Sequence, residues 1–323
     1  MTEMYDAIVI GTGQSGPSLA ARLAGAGQKV AIIERKRFGG TCVNNGCTPT
    51  KTLVASARAA HMARRGADFG VVIDGPIRVD MAKVKARKDA VVAKSNSGVE
   101  RWLKGLDNAT VYEGHGSFEG PHTLRVGDAL LEAERIFINV GARAAVPPVP
   151  GIETAPTLNN SRMMELDTLP DHLVILGGGY IGLEFGQMYR RFGSKVTVVH
   201  RGSHLLSRED EDVGEAVRGI LEAEGVEVLT DTGDWRVEGT DGAVSIAMRC
   251  QGETVRVAGS HLLVATGRVP NTQDLGLDQA GVETDRRGFI KVDDELRTSA
   301  PGVWAMGDCN GRGAFTHTSY NDF

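Results

Sequence analysis

Short apolar runs, a glycine-rich turn and a helix-like segment alternate along the first 36 residues. An apolar run over residues 7–10 is followed by the turn, by a helical pattern over residues 17–23 and by a second apolar run over residues 30–33. Apolar runs of this length, joined through a turn and a helix, are typical of a βαβ unit. The chain is therefore predicted to open with one.

The same pattern returns in the second half of the chain. An apolar run over residues 173–176 leads into a glycine turn, a helix-like segment that contains Leu183 and Phe185, and another apolar run over residues 196–199. Each half also closes alike, since IFINVGAR and LLVATGR are both apolar strands that run into a glycine and an arginine. This internal repeat predicts an α/β protein with two Rossmann-like dinucleotide-binding domains.

Prolines mark the expected domain boundary. Residues 143–156 contain four prolines, which give a stiff, extended connection. The last apolar run, residues 302–305, is expected to return to the first sheet. We therefore predict a discontinuous first domain, residues 1–150 and 271–323, with a second domain inserted at residues 151–270. Residues 82–104 are predicted to form a lysine-rich amphipathic helix, and residues 110–126 short antiparallel strands.

Composition and charge narrow the class of protein. With 41% hydrophobic and 24% charged residues the chain is globular, and 42 glycines among 323 residues, about 13% against a usual ~7%, indicate many tight turns. A formal net charge of -5 provides no basic field for a nucleic acid. The start lacks the pattern of a signal peptide, and no apolar run reaches the length of a membrane span. We expect a cytoplasmic protein with no nucleic-acid or membrane partner.

The first glycine turn carries a dinucleotide fingerprint. Gly11, Gly13 and Gly16 form GxGxxG between a predicted strand and helix, where glycines let a pyrophosphate approach the helix N-terminus. Glu34, 23 residues after Gly11, ends the second strand and can accept hydrogen bonds from the ribose hydroxyls of adenosine. The alternative is a glycine turn without a ligand and a solvated glutamate.

The second fingerprint differs at the acidic position. Gly177, Gly179 and Gly182 repeat GxGxxG, but His200 followed by Arg201 stands where the glutamate is expected. Cations there favour NADP, whose 2'-phosphate they can neutralise, over NAD, which stays the second candidate. The alternative is that the two side chains are solvated loop cations without a ligand. Two dinucleotide sites in one chain indicate hydride transfer between a nicotinamide and a flavin.

Two of the four cysteines lie close together. Cys42 and Cys47 occur in GGTCVNNGCTPTK, and Pro49 favours a helix start beside Cys47, where the positive end of the helix stabilises a thiolate. A disulfide across so short a loop would stabilise the fold by only about 2 kcal/mol, which favours redox use over stapling. No metal site is predicted, because Cys250 and Cys309 are isolated. Two unrelated reduced thiols remain the alternative.

These motifs together resemble those of the flavoprotein disulfide reductases. GTGQSG, GGTCVNNGCTPTK, GGGYIGLE, ATGRVPN and GVWAMGDCN carry the resemblance, which covers essentially the entire chain. KTLVASARAAH, LLSREDEDVGEA and FTHTSYND are most similar to mercuric-reductase-like FAD-containing oxidoreductases. The resemblance implies FAD in the domain of residues 1–150 and 271–323, NADP or NAD in the inserted domain of residues 151–270, and electron transfer to a Cys42/Cys47 disulfide.

The resemblance also implies roles for individual residues. Cys42 corresponds to the thiol that attacks the substrate and Cys47 to the thiol that contacts the flavin. Lys51 matches the family lysine near flavin N5, and Glu184 matches its ion-pair partner beside the nicotinamide; an exposed helix lysine and an ordinary helix-start glutamate are the alternative.

Further cofactor-binding positions follow from the same motifs. Gly307 and Asp308 match the second FAD motif, in which the carboxylate binds a ribityl hydroxyl; Asp308 is alternatively a plain turn residue. His317 and Thr318 match a helix start that faces the pyrimidine end of the flavin. The remaining positions implied to contact a cofactor are Gly40, Thr41, Gly141, Tyr180, Ile181, Gly267 and Arg268.

The chain departs from the family pattern at its end. Family members continue into a dimerisation domain that supplies a His-Glu acid/base pair, whereas this sequence stops at Phe323, as a fragment or as a naturally shortened homologue. We expect a small-molecule electron acceptor, and a homodimer only where that domain is present. Two rival functions remain: a non-catalytic FAD-binding fragment or redox sensor, and a thiol-independent flavin NAD(P)H oxidase.

Overall fold

The computed structural model describes residues 2–323, which contain seventeen β-strands and eight α-helices. The strands are β1 (Thr2–Ile10), β2 (Val30–Glu34), β3 (Ala109–Glu113), β4 (Gly116–Gly120), β5 (Thr123–Val126), β6 (Ala129–Ile138), β7 (Ala142–Ala144), β8 (Thr157–Leu158), β9 (His172–Leu176), β10 (Lys195–Val199), β11 (Glu227–Leu229), β12 (Thr232–Thr240), β13 (Ala243–Cys250), β14 (Glu253–Gly259), β15 (His261–Val264), β16 (Arg268–Pro270) and β17 (Val303–Ala305). The helices are α1 (Gly16–Gly25), α2 (Gly40–Asn44), α3 (Cys47–Arg64), α4 (Met81–Lys104), α5 (Asn160–Met163), α6 (Tyr180–Phe192), α7 (Glu211–Ala223) and α8 (Thr316–Asn321).

The chain forms two compact units. The first comprises residues up to 48, residues 91–143 and residues 268–323; the second comprises residues 49–90 and 144–267. Residues 49–90, which the sequence placed in the first domain, thus pack within the second unit. The reason is that Leu53, Ala57 and Met81 lie in the same core as the apolar face of α6. The assignment of one cofactor to each domain stays a prediction.

The first unit is built on a seven-stranded sheet. Its order is β3-β2-β1-β6-β5-β4, and β17 pairs with the end of β6. Strands β3, β2, β1, β6 and β17 all run parallel to one another, while β5 runs antiparallel to both β6 and β4. Ile8 and Ile10 face one core and Val9 faces the other. Because both faces of the sheet are covered, these strands are continuously apolar.

The second unit combines two sheets. A parallel sheet has the order β11-β10-β9-β15-β8, and β12, β13 and β14 form an antiparallel one. Leu173 and Ile175 of β9 pack in the core that contains α6, whereas Val174 packs in the core that contains Trp235 of β12. The α/β class with two Rossmann-like sheets, one unit inserted in the other, is therefore confirmed.

Most local expectations agree with the structure. Both predicted βαβ units are present, the long helix is α4, and the last apolar run forms β17 beside β6. The prediction of antiparallel strands over residues 110–126 is correct for β4 and β5 and wrong for β3, which runs parallel to β2. The long helix α4 precedes β3 and acts as a crossover, and such a connection produces parallel pairing.

Candidate active site

The first glycine fingerprint is closed by direct backbone contacts. Gly11 has a φ of +103°, and a Cβ atom there would lie 2.4 Å from the Asn139 carbonyl oxygen. A Cβ at Gly16 would lie 2.2 Å from the Gly11 carbonyl oxygen. Real Cβ atoms do not approach this closely, so the turn that brings the start of α1 to the end of β1 requires glycine at both positions.

Glu34 lies at the end of β2 and is tied to the same turn. Its carboxylate accepts hydrogen bonds from the Thr12 amide at 3.2 Å, from the Thr12 hydroxyl and from the Lys36 amide at 2.8 Å. Thr12 also accepts a hydrogen bond from the Gly39 amide at 3.1 Å. The carboxylate is half-buried and fixed beside the fingerprint, as a ligand for ribose hydroxyls must be.

The second fingerprint repeats this geometry. A Cβ at Gly177 would lie 2.4 Å from the Ala265 carbonyl oxygen, and one at Gly182 would lie 2.2 Å from the Gly177 carbonyl oxygen. No described atom lies within 4 Å of the Cβ position of Gly179, so the middle glycine faces open space. At Gly177 and Gly182 the space is needed by other parts of the chain, whereas at Gly179 it is open for a ligand to approach the backbone.

His200 occupies the place that Glu34 has in the first unit. Its Nδ1 accepts a hydrogen bond from the Gly178 amide at 3.1 Å, as Glu34 does from Thr12, and its Nε2 lies 3.0 Å from the Ser207 hydroxyl. Burial lowers the pKa of His200, so the imidazole is neutral at pH 7 and Nε2 carries the proton. The positive charge at this position is therefore that of Arg201.

Arg201 lies on an aromatic face. Its guanidinium carbon is 4.7 Å from the centroid of the Trp235 ring, a cation–π contact. Both side chains line a cavity of about 410 Å³ with Pro148, Pro150 and Arg236. Arg201 is exposed and lies just after the carboxyl end of β10, where its hydrogen-bond donors are available.

The two cysteines of the motif are adjacent, and both are thiols rather than a disulfide. Cys42 is half-buried in α2, Cys47 is exposed at the first position of α3, and their thiols are hydrogen-bonded. The Cys47 sulfur lies 3.0 Å from the Thr316 hydroxyl oxygen. The hydrogen bond to Cys47 and then burial raise the pKa of Cys42, so Cys42 keeps its proton in the reduced pair.

Lys51 and Glu184 form the ion pair that the sequence predicts. The Lys51 Nζ is 2.5 Å from a carboxylate oxygen of Glu184, which lies in the first turns of α6. The two side chains are 70% and 33% exposed. A pair this open to solvent contributes little to stability.

Asp308 is paired with an arginine. Its carboxylate lies 3.3 Å from the Arg268 guanidinium, which also donates to the Ala142 carbonyl oxygen at 2.5 Å. Burial raises the pKa of Asp308, and the Arg268 charge opposes that rise. Arg268, which the sequence assigned to the inserted domain, thus lies in the first unit with Asp308.

The other predicted cofactor positions lie in turns and at helix starts. A Cβ at Gly40 would lie 2.9 Å from the Gly13 Cα atom, so α2 is held against the first fingerprint, with Thr41 exposed after it. Gly141 and Gly267 have φ values of +66° and +156°. Gly307 has a φ of +69°.

The remaining predicted residues are exposed at helix starts. Tyr180 and Ile181 are exposed in the first turn of α6, and the Tyr180 hydroxyl donates to Glu209. His317 is exposed and Thr318 is half-buried on α8.

Three residues of this region were missed by the sequence analysis. Thr12 links Glu34 to the loop before α2, and Thr316 contacts Cys47.

Asn139, at the end of β6, is buried, and its Nδ2 atom has no hydrogen-bond partner among residues 2–323. That atom lies 3.0 Å from the Cβ position of Gly16. A polar residue directly after a buried apolar strand, as in IFINVGAR, is the signal that could have identified Asn139.

These residues fit FAD at the first fingerprint. The glycines leave a cradle that any Cβ would fill, Glu34 offers a fixed carboxylate, and the Asn139 amide is a buried donor beside the turn. Both fingerprints therefore have the form of a dinucleotide site. No described helix is at once long enough and apolar enough to cross a membrane.

The family model named pyridine nucleotide-disulphide oxidoreductase matches residues 5–322. The chain belongs to this family of oxidoreductase enzymes, whose flavoprotein disulfide reductases use FAD and a pyridine nucleotide.

Particular relatives share most of the chain. It is 39% identical to the probable pyridine nucleotide-disulfide oxidoreductase RclA of Escherichia coli, over 99% of this chain and 69% of that protein. It is 34% identical to a dihydrolipoyl dehydrogenase of Acholeplasma laidlawii, over 100% of this chain and 95% of the relative, and 33% identical to a mercuric reductase of Lysinibacillus sphaericus, over 94% and 56%. The structure of a Cu(II) complex of E. coli RclA, an HOCl-induced flavoprotein disulfide reductase, superposes with a TM-score of 0.88 at 38% identity, over 100% of this chain and 69% of that chain.

Proposed function

We propose that the protein carries two electrons from NADPH, with FAD as its bound cofactor, to the Cys42/Cys47 pair and from there to a thiol/disulfide or metal-ion acceptor. The observation that carries the proposal is the pair itself: two hydrogen-bonded thiols, one half-buried and one exposed at the start of α3. Family membership supports the same reaction class.

FAD, when bound, accepts a hydride from a pyridine nucleotide and delivers its electrons to a neighbouring disulfide. The chain's own residues then hold the products. Cleavage of the S–S bond by two electrons and one proton gives a thiolate on Cys47 and a thiol on Cys42. The start of α3 stabilises that thiolate, and the raised pKa of Cys42 keeps the proton on its sulfur.

The electron balance closes for both kinds of acceptor. One NADPH supplies the two electrons and the proton that convert the disulfide to the thiol–thiolate pair. Two Cu(II) ions then take one electron each, which yields two Cu(I) ions, the disulfide and one proton. A disulfide acceptor is instead cleaved by thiol exchange, and it leaves as two thiols after taking up a proton. In the proposed mechanism the hydrogen-bonded Cys47 thiolate takes up the Cys42 proton, and the resulting Cys42 thiolate attacks the acceptor.

NADPH is the proposed reductant because the second fingerprint has no acidic residue at the ribose position. Arg201 offers an exposed guanidinium there, and such a group binds a phosphate through two parallel hydrogen bonds. The neutral His200 contributes a donor at Nε2 rather than a charge. The preference for NADPH over NADH is thus assigned to Arg201.

The first experiment is an anaerobic absorbance titration of the purified protein with stoichiometric NADPH, with NADH in parallel. We expect the flavin band to bleach and a long-wavelength thiolate-to-flavin band to appear, faster with NADPH. Cu(II) and a small aromatic disulfide are then added as acceptors; a Cu(II) complex of the related RclA makes this ion the first metal to test.

Two variants separate the rival functions. Cys42→Ser should abolish turnover with the disulfide, whereas Cys250→Ser, at a buried thiol of β13, should leave it unchanged. Unchanged NADPH oxidation with oxygen as the acceptor in Cys42→Ser, without turnover of the disulfide in the wild type, would identify a thiol-independent NAD(P)H oxidase. A bound flavin that neither nucleotide reduces would instead identify a non-catalytic FAD-binding module.

A further inference from the structure

The Thr316 hydroxyl is placed at the reactive sulfur of the pair. Its oxygen lies 3.0 Å from the Cys47 sulfur, although 269 residues separate the two along the chain. Once Cys47 is a thiolate it has no proton to donate, so the hydroxyl must be the donor in this contact. A hydrogen bond to a charged acceptor is about twice as strong as one between neutral groups, so the contact favours the thiolate.

The helix that carries Thr316 is held by a directed chain of hydrogen bonds. Ser319 lies one turn further along α8, is buried, and has its hydroxyl 3.0 Å from that of Ser15. The fully buried Ser15 donates to the Asn139 side-chain oxygen at 3.1 Å. Because Ser15 gives its only proton to Asn139, Ser319 must donate to Ser15.

Gly307 leaves the room that this chain of hydrogen bonds needs. A Cβ there would lie 2.7 Å from the Ser319 hydroxyl oxygen and 3.3 Å from the Asn139 side-chain oxygen. The Gly307 amide also donates to the Asp322 carboxylate at 2.7 Å, which fixes the chain just after α8. The short helix α8 is thus attached on one side to Ser15 of the first glycine fingerprint and on the other to Gly307 of the second FAD motif.

We propose that Thr316 is a positioning residue for the dithiol, which donates a hydrogen bond to the Cys47 thiolate, and that Ser319 and Ser15 hold α8 in the place this contact requires. The inference rests on the proposed role of the Cys42/Cys47 pair in electron transfer and adds a residue to it. It also ties the loop expected to bind the FAD pyrophosphate to the thiol expected to face the flavin.

The test measures the ionisation of Cys47 directly. In the full chain carrying Cys42→Ser, Cys47 is the one exposed cysteine of the described residues, since Cys250 and Cys309 are buried. The rate of its alkylation by iodoacetamide is followed against pH, with mass spectrometry of the labelled peptide. Adding Thr316→Val should raise the pH midpoint by about one to two units, the loss of one charge-assisted hydrogen bond.

Three further variants serve as controls. Thr316→Ser keeps the hydroxyl and should restore the original midpoint. Thr110→Val makes the same change at an exposed position of β3 and should leave the midpoint unmoved. Ser319→Ala should move the midpoint in the same direction as Thr316→Val. An unchanged midpoint in Thr316→Val would overturn the role of the hydroxyl, and an unchanged midpoint in Ser319→Ala would overturn the role of the helix attachment.

The outcome is separable from that of the proposed function. If NADPH fails to reduce the wild-type thiols, the electron-transfer proposal fails whatever the alkylation profile shows. If NADPH does reduce them, the long-wavelength band gives a second readout, because its pH midpoint should shift upward in Thr316→Val. A normal band with an unshifted midpoint in that variant would leave the function standing and refute the inference.

Discussion

Substitution of Gly16 by alanine tests the closure of the first fingerprint. The new Cβ would lie 2.2 Å from the Gly11 carbonyl oxygen. Real Cβ contacts are longer than 3.0 Å, so either the new Cβ atom or the Gly11 carbonyl oxygen must move by roughly 1 Å. The neighbour is backbone rather than a flexible side chain, so the movement has to open the turn between β1 and α1.

Overpacking of this kind costs about 1–3 kcal/mol of unfolding free energy. The same helix provides the matched control, because no described atom lies within 4 Å of the Cβ position of Gly25. Alanine is the better helix former, so Gly25→Ala should stabilise the protein by up to about 1 kcal/mol. One residue type at two positions of α1 is thus expected to give opposite signs.

The assay pairs thermal unfolding with the flavin content of the purified protein. Gly16→Ala should lower the unfolding midpoint by several degrees and lose flavin, since the turn that admits the pyrophosphate is displaced. Gly25→Ala should retain flavin with an equal or higher midpoint. Wild-type midpoint and flavin content in Gly16→Ala would refute the contact argument, and equal losses in both variants would show that the effect is not specific to the turn.

Three more expectations follow from the site. Lys51→Met should change the unfolding free energy by less than about 1 kcal/mol, because the pair with Glu184 is exposed, yet slow flavin reduction by NADPH about tenfold or more in stopped-flow measurements. Arg201→Ala should raise the KM for NADPH about tenfold or more and leave that for NADH unchanged in steady-state assays. Burial lowers the pKa of His200, so the unfolded chain takes up a proton at this residue before the folded protein does as the pH falls below about 6.5, and the free energy of unfolding declines there. Urea unfolding measured at several pH values should show that the slope of this free energy against pH is smaller in His200→Gln by up to about 1.36 kcal/mol per pH unit.

The glycine fingerprints could be predicted because their constraint is local. Gly11 and Gly16 contact one another or the neighbouring strand end, and Gly177 and Gly182 repeat those contacts, so spacing alone identifies both turns. The packing of residues 49–90 could not be predicted in the same way. The apolar positions of α3 show that one face is buried, but they do not show which sheet covers it.

Roles that depend on distant partners were also beyond the sequence. His200 is a potential cation by residue type, but its burial in the fold lowers its pKa, and its Nδ1 accepts a hydrogen bond from the Gly178 amide. Thr316 lies in a motif that the sequence analysis quoted, but nothing in the motif indicates a contact with Cys47. Asp308 was expected to bind a cofactor, and its ion pair with Arg268 became visible only when β16 and the turn after β17 were placed together.

The long separation between Cys47 and Thr316 has a consequence during translation. Ribosomes add about 5–20 residues per second, so the 269 residues between them take tens of seconds to emerge. The last strand of the first sheet, β17, and the helix α8 are made after the entire second unit, so that unit can fold while its host is still incomplete. The thiol pair therefore spends that interval in a nascent chain without Thr316, and Cys47 gains its contact with the Thr316 hydroxyl only when synthesis has passed Ser319.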